Sequence, residues 1–251
     1  MNERIAMRTD LGRLGIEGVA FDAVGTLIEP FPSVARAYAD AAARQGVEVD
    51  VSEVKRRFHQ YFRVDEVDEI RGPMATDEAI ERRRWRRIVG NVLPDLPDVE
   101  HAFAELWNHF GTASAWRVFE DVPETIATLR LAGIPFVIAS NFDGRLREVI
   151  LGLPDLADQV DSTVISSEVG FRKPHPAFYR AVCEALRMPA GQILFIGDDL
   201  ENDVSGPIRA GLGGVRLDRD GRSSSTGPAF SGLTSILDRY LASRMHGLSR
   251  R

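Results

Sequence analysis

Crowded carboxylates are the first feature of this sequence that asks for a chemical explanation. Asp198, Asp199, Glu201 and Asp203 follow an apolar run at 193–196, and acids so close together repel unless a cation or a base offsets them. Three other polar stretches stand in a similar relation to apolar runs. Asp22 ends the run 15–21 and opens Asp22-Ala23-Val24-Gly25-Thr26-Leu27, Ser140-Asn141 ends the run 134–139, and Lys173-Pro174 precedes a helical pattern. Phosphoryl transfer needs an in-line nucleophile, neutralisation of the equatorial oxygens and help for the leaving oxygen, and these residue types supply the first two. Each stretch also has a plain reading when taken alone. Asp22 with Gly-Thr can form a turn, Ser140-Asn141 can cap a helix, Lys173 can be a solvated lysine, and acidic turns are common on surfaces. Their joint occurrence, in this order and each beside a strand end, favours one site. Lys173 gains weight from composition, since Lys55 and Lys173 are the two lysines among 31 basic residues.

The elements that must position these groups follow from the hydrophobic period. Apolar runs at 15–21, 134–139, 162–165, 193–196 and 214–217 read as buried strands. Helical patterns at 123–132, 144–151, 176–187 and 203–210 separate them, with Gly133 and Gly211 as stops. Strands alternating with helices predict an α/β fold, a doubly wound parallel sheet whose carboxyl edge collects the ligand-binding residues. Between the first strand and the second, residues 31–111 show helical periodicity and no convincing strand. Ser33 can cap a helix running to Arg44, and further helices are expected at 52–67, 77–92 and 98–110. So long a stretch is no crossover loop, and it predicts a helical cap domain over 31–111, inserted into a core domain of 1–30 and 112–251 with junctions near 29–32 and 111–116. Ile80, Trp85, Ile88, Phe103, Leu106, Trp107 and Phe110 are its expected packing core. A loop is expected at 223–228, then a final helix at 233–245 and a frayed tail.

With these motifs at four strand ends, the sequence resembles the haloacid dehalogenase superfamily from about Gly15 to Leu241. Members of that superfamily carry an aspartate after the first strand, a Ser or Thr after the next motif strand, a lysine and an acidic pair. Ser140-Asn141-Phe142-Asp143-Gly144-Arg145-Leu146 and Phe171-Arg172-Lys173-Pro174-His175-Pro176 are similar to the branch that contains haloacid dehalogenase-like hydrolase domain-containing protein 3. The resemblance implies a Rossmann-like core, a helical cap and a magnesium-dependent hydrolase acting on a small phosphorylated metabolite. It implies Asp22 as nucleophile, forming an aspartyl-phosphate that water later hydrolyses. It further implies Mg2+ held by Asp22, the Val24 carbonyl and Asp198, with Asp199 or Asp203 direct or through water. Thr26, Ser140 and Asn141 would donate to phosphate, and Lys173 would pair with Asp22 and the phosphate.

One departure stands out. Phosphatases of this superfamily carry a second aspartate two residues after the nucleophile as general acid/base, and here that residue is Val24. A backbone carbonyl is indifferent to its side chain, so the metal site survives the change, but proton delivery does not. Asp65, Glu66, Asp68 and His59 are candidates for a substitute from the cap. Val24 also keeps rival readings open: a dehalogenase, with Arg56 or Arg57 binding a substrate carboxylate; a phosphonate hydrolase, with Lys55 as Schiff base; and a binding or regulatory protein that keeps the fold and loses turnover.

The remaining numbers set bounds. Hydrophobic residues at 44% and charged residues at 27% of 251 describe an ordinary folded chain. A net charge of −6 gives no general attraction to nucleic acid or anionic lipid. Cys183 is the one cysteine, so neither an internal disulfide nor a cysteine zinc cluster is available, and its apolar neighbours predict a buried structural thiol. No apolar stretch approaches the roughly 20 residues that span a bilayer, so the expected place is the cytoplasm.

Overall fold

The computed structural model of the chain describes residues 15–71, 74–219, 221 and 229–248. The expected loop at 223–228, the tail, and the side chains of Asp65, Glu66 and Asp68 lie outside what is described.

The first strand, β1 (Gly18–Phe21), is buried at all four positions and lies at the centre of the sheet. Its side chains alternate between two layers, as the period of a strand requires. Val19 and Phe21 join the apolar cluster under one set of helices, while Ala20 joins the cluster on the opposite face. Around it run β4 (Phe136–Ser140), β5 (Val164–Ile165), β6 (Ile193–Gly197), β7 (Gly213–Leu217) and β8 (Ala229–Phe230), in the order β5-β4-β1-β6-β7-β8. Every pairing is parallel. Parallel sheets are buried on both sides, and both sides are covered here. Helices α5 (Val122–Leu131), α6 (Arg145–Leu151) and α10 (Leu233–Leu248) cover one face, and α8 (Pro176–Leu186) covers the other. The expected parallel α/β sheet is thus present, with β8 as a short edge strand that the sequence pattern did not reveal.

Four helices form a separate layer: α1 (Val34–Arg44), α2 (Val51–Arg71), α3 (Glu78–Val92) and α4 (Val99–His109). Three start at side-chain caps, the predicted one at Ser33 and two more at Asp77 and Asp98, which accept from the N–H groups of Arg36, Ile80 and His101 respectively. Their apolar stripes meet in a cluster that includes Tyr38, Val54, Ile88, Val92, Phe103 and Leu106. Trp85, Trp107 and Phe110 pack half-buried against it, while Ile80, expected in this core, is half-buried and outside it.

The junctions carry structure that the sequence reading lacked. Strand β2 (Ile28–Pro30) pairs antiparallel with β3 (Trp116–Val118), so both connections between the helical layer and the sheet leave through one small ribbon. The layer is tied down again elsewhere. Thr76 N–H donates to the Gly170 carbonyl and Arg172 N–H to the Met74 carbonyl, next to the short helix α7 (Ser166–Val169). Beneath this bridge Glu81 takes hydrogen bonds from Arg172 and Thr76, each at 2.6 Å, with Arg84 at 3.7 Å.

The helix expected at 203–210 is a wider π-helical turn over Leu200–Ser205, followed by the short α9 (Gly206–Arg209). Asp199 opens the turn by accepting from the Glu201 and Asn202 N–H groups, at 3.0 and 2.7 Å, and the turn carries Asp203 inward to the end of the sheet. Local unwinding of this kind is frequent where a side chain must be aimed.

Glu81 provides a test of the tie between layers. Burial opposes its charge, but Arg172 and then Arg84 outweigh that and hold the carboxyl below its usual range. The ionised group therefore stabilises the fold above its unfolded value of about 4.3, and the contribution is lost as pH falls through the lower folded value. Glu81→Gln removes the charge that two buried guanidiniums share, and should cost about 3–5 kcal/mol near neutral pH. Urea unfolding of both proteins should show that gap narrowing as the pH drops below about 4; a constant gap would mean the ion pair is not its source.

Candidate active site

The carboxyl edge of the sheet places the chemistry-bearing groups within reach of one another. At the end of β1, Asp22 N–H still bonds to the Ile196 carbonyl of β6 at 2.9 Å, so the backbone stays in register while the side chain leaves the sheet. The chain then turns sharply, with Leu27 and Ile28 N–H both donating to the Ala23 carbonyl. Gly25 sits in this turn at φ +86°, and a Cβ there would lie 2.6 Å from the Asp198 carboxylate. Only glycine satisfies both the backbone conformation and the close approach.

Ser140, at the end of β4, donates to Asp22 Oδ1 at 3.1 Å. Next to it, Asn141 grips the backbone of Lys173 on both sides: its Oδ1 accepts from Lys173 N–H at 2.7 Å and its Nδ2 donates to the Lys173 carbonyl at 3.1 Å. The ammonium of Lys173 is thereby delivered between two carboxylates. It donates to Asp22 Oδ1 at 2.8 Å, to Asp203 Oδ1 at 2.7 Å and to the Ala139 carbonyl at 3.2 Å. These three bonds use its full donor set. Lys173, Asp22 and Asp203 are 4%, 7% and 1% exposed, so water screens these charges poorly.

Asp22, Asp198 and Asp203 each offer an oxygen within 4.8 Å of the others. Three carboxylates thus face one ammonium. Burial and the charge on Asp22 push the Asp203 carboxyl up to about 7, even though Lys173 pulls it down. Desolvation and the charges on Asp22 and Asp203 push Asp198 up to about 8, although this side chain still reaches solvent, which blunts the desolvation. Burial would lower the Lys173 pKa, but Asp203 and Asp22 outweigh it and raise it, so the ammonium stays charged. The carboxylates want more positive charge than Lys173 provides. An all-oxygen donor set with surplus negative charge fits a hard divalent cation such as Mg2+.

These groups form the floor of a cavity of about 430 Å³. Of the residues singled out in the sequence, Asp22, Val24, Ser140, Asn141, Lys173, Asp198, Asp199 and Asp203 all line it. Asp199 is turned to cap the π-helical turn, and Asp203 rather than Asp199 stands with Asp22 and Asp198. Thr26 is fully buried and outside the cavity wall, and its Oγ1 has no hydrogen-bond partner among the described residues. The hydroxyl expected to meet phosphate is therefore enclosed. Val24 is half-buried in the cavity wall and packs against the apolar core of the sheet.

His59 reaches the cavity from α2, while Lys55, Arg56 and Arg57 lie outside its wall. Arg56 and Arg57 are instead paired with Glu53. Cys183 is half-buried against the α8 cluster, where burial pushes its thiol up, and it has no part in the site. Arg84, Arg145 and Arg172 in the wall were missed. Arg172 was legible as the neighbour of Lys173, and Arg145 as part of the run after Asn141. Nothing in periodicity marks Arg84, which is buried at 2% exposure within a helix rich in arginine.

Comparison with known proteins bears on the family and the fold. A family described as haloacid dehalogenase-like hydrolase matches residues 16–211. Haloacid dehalogenase-like hydrolase domain-containing protein 3 of Mus musculus is 26% identical over 205 residues, covering 80% of this chain and 81% of that protein. The 5-amino-6-(5-phospho-D-ribitylamino)uracil phosphatase YigB of Escherichia coli is 31% identical over 134 residues, 53% of this chain and 55% of its own. Among solved structures, a dehalogenase with an intermediate complex superposes with a TM-score of 0.70 at 18% identity, over 89% of this chain and 96% of that one, which speaks to fold alone. The chain belongs to the haloacid dehalogenase-like hydrolases.

Proposed function

We propose that the chain is a magnesium-dependent, phosphatase-like hydrolase of a small phosphorylated molecule, working through an aspartyl-phosphate on Asp22. The observation that carries this reading is the buried ammonium of Lys173 held between Asp22 and Asp203, with Asp198 facing the same point. A dehalogenase has no use for a surplus of carboxylates beside its nucleophile, whereas a cation bound to a transferring phosphoryl group does. Similarity to the YigB phosphatase supports the same direction.

In this reading Asp22 attacks phosphorus through a carboxylate oxygen. Mg2+, held by Asp22, Asp198 and Asp203 with the Val24 carbonyl, would supply neutralising charge to the phosphoryl oxygens. Lys173 balances the carboxylates and shares the phosphate charge. Ser140 Oγ, which donates to Asp22 at 3.1 Å, is close enough to turn to a phosphate oxygen. Asn141 acts chiefly by fixing Lys173, with one amide hydrogen left for substrate. The helical layer over 31–111 serves as a cap that excludes water and contributes specificity.

Val24 is the weak point for turnover and favours a second reading, a protein that keeps the fold and the metal and has lost turnover. General acid–base groups contribute about 10²–10⁴-fold, and the position two residues beyond Asp22 now holds an alkyl side chain. Esters that expel a basic alkoxide should be poor substrates.

Phosphate release from acetyl phosphate should require Mg2+, stop with chelator, and fall about 10³-fold or more in Asp22→Asn. Magnesium binding measured by calorimetry with no turnover on any phosphate would instead favour the second reading. Val24→Asp should raise hydrolysis of alkyl phosphates by about 10–10²-fold, read as kcat on glycerol 3-phosphate; no gain would mean that proton delivery is not what the chain lacks.

A further inference from the structure

The wall of the cavity above the carboxylates is aromatic. Phe58 of α2 stacks with Phe62 of α2 at 5.6 Å and 19° and with Trp85 of α3 at 6.5 Å and 18°, while Phe62 and Trp85 are tilted by 37° at 6.0 Å. Nearer the sheet, Trp116 stands edge-on between Phe110 and Phe142, with centroids at 5.9 Å on each side. The arginines of the wall are held to carboxylates of the protein: Arg145 to Asp143 through two nitrogens, Arg172 to Glu81, and Arg84 against Glu81. A polyol chain lodged there would trade water for aromatic carbon at most of its hydroxyls, and each unpaired hydroxyl costs about tenfold or more in affinity. A flat apolar group, by contrast, gains area and ring-to-ring contact.

A second observation concerns the other end of the same ligand. Val24, in the wall beside Asp22, offers nothing that could protonate a leaving oxygen. The leaving groups favoured at this position depart as anions that are stable without a proton. Phenolic oxygens do this and sugar hydroxyls do not. The flat wall and the alkyl side chain thus select the same class of molecule from opposite ends.

We propose that the site takes aryl phosphates, monoesters of a phenolic oxygen on a flat apolar ring system; this rests on the phosphatase reading above. The bond from Asp22 to phosphorus forms as the bond from phosphorus to the phenolic oxygen breaks. The electron pair leaves on the phenolate, which takes its proton from solvent. Water then attacks the acyl-phosphate, releasing inorganic phosphate and restoring the Asp22 carboxylate. The ring system occupies the space between the α2–α3 rings and Trp116.

Steady-state phosphate release with Mg2+ from 2-naphthyl phosphate, phenyl phosphate, glycerol 3-phosphate and acetyl phosphate tests this, with Asp22→Asn as the control for site dependence. The expected result is a kcat/KM for 2-naphthyl phosphate about 10³-fold above glycerol 3-phosphate and about tenfold above phenyl phosphate, whose leaving group is similar but whose ring is smaller. In Phe58→Leu and Trp85→Leu the ratio of the 2-naphthyl to the acetyl phosphate kcat/KM should fall about tenfold, through KM rather than kcat. Asp22-dependent hydrolysis of acetyl phosphate with 2-naphthyl phosphate no better than glycerol 3-phosphate would overturn the aryl assignment and leave the phosphatase reading standing. No Asp22-dependent release from any of the four would overturn both.

Discussion

A single ammonium, buried between two carboxylates that arrive from opposite ends of the sequence, is the interaction on which the rest of this structure depends. Asp22 and Asp203 are 181 residues apart in number, yet each lies within 2.8 Å of Lys173 Nζ. Burying three charges this deeply is unfavourable unless they neutralise one another and every proton finds an acceptor. The parallel sheet makes the meeting possible, because β1, β4 and β6 run side by side and end at one edge. Asn141 and the π-helical turn then supply the two remaining adjustments, one fixing the lysine backbone and the other turning Asp203 inward. Even so the charges do not balance, since three carboxylates face one ammonium.

That geometry also leaves little tolerance around the site. Gly197 precedes Asp198, and a Cβ there would fall 2.2 Å from the Asp203 carboxylate. Gly214, on β7, faces the Val204 carbonyl at 2.6 Å from where its own Cβ would be. The acidic turn is packed directly on the sheet, so a side chain is excluded at these two strand positions. The position of Asp203 is accordingly set by backbone contacts on both sides and not by its own hydrogen bonds alone.

Much of this was legible in the sequence, for identifiable reasons. The parallel sheet could be read because strands buried on both faces are continuously apolar, and the site could be read because such sheets collect polar groups at one edge. The cap at Ser33 was legible because such a side chain competes locally for backbone N–H groups, and the helix starts at Asp77 and Asp98 were legible on the same ground. What could not be read depended on contacts distant in sequence. The β2–β3 ribbon is three residues on each side and pairs positions about 90 residues apart. Trp85, Trp107 and Phe110 carried an apolar signal, but periodicity does not say whether an apolar face meets a neighbouring helix or an open cavity. Thr26 was placed in the site on resemblance, and its burial behind the turn follows from the tight Ala23–Ile28 hydrogen bonding that no local pattern announces.

The bridge between residues 74–76 and 170–172 bears on how this molecule can open. A layer joined to the sheet only through the β2–β3 ribbon would pivot as a door does on a single hinge. Here the free edge of the door is fastened, and the fastening lies one residue from the lysine that organises the charges. Any swing of the four helices away from the sheet would pull on the backbone of Arg172 and so disturb the alignment of Lys173 with Asp22. The helical layer and the charge cluster therefore share one stretch of backbone at residues 172–173, which is a joint for the first and a mount for the second.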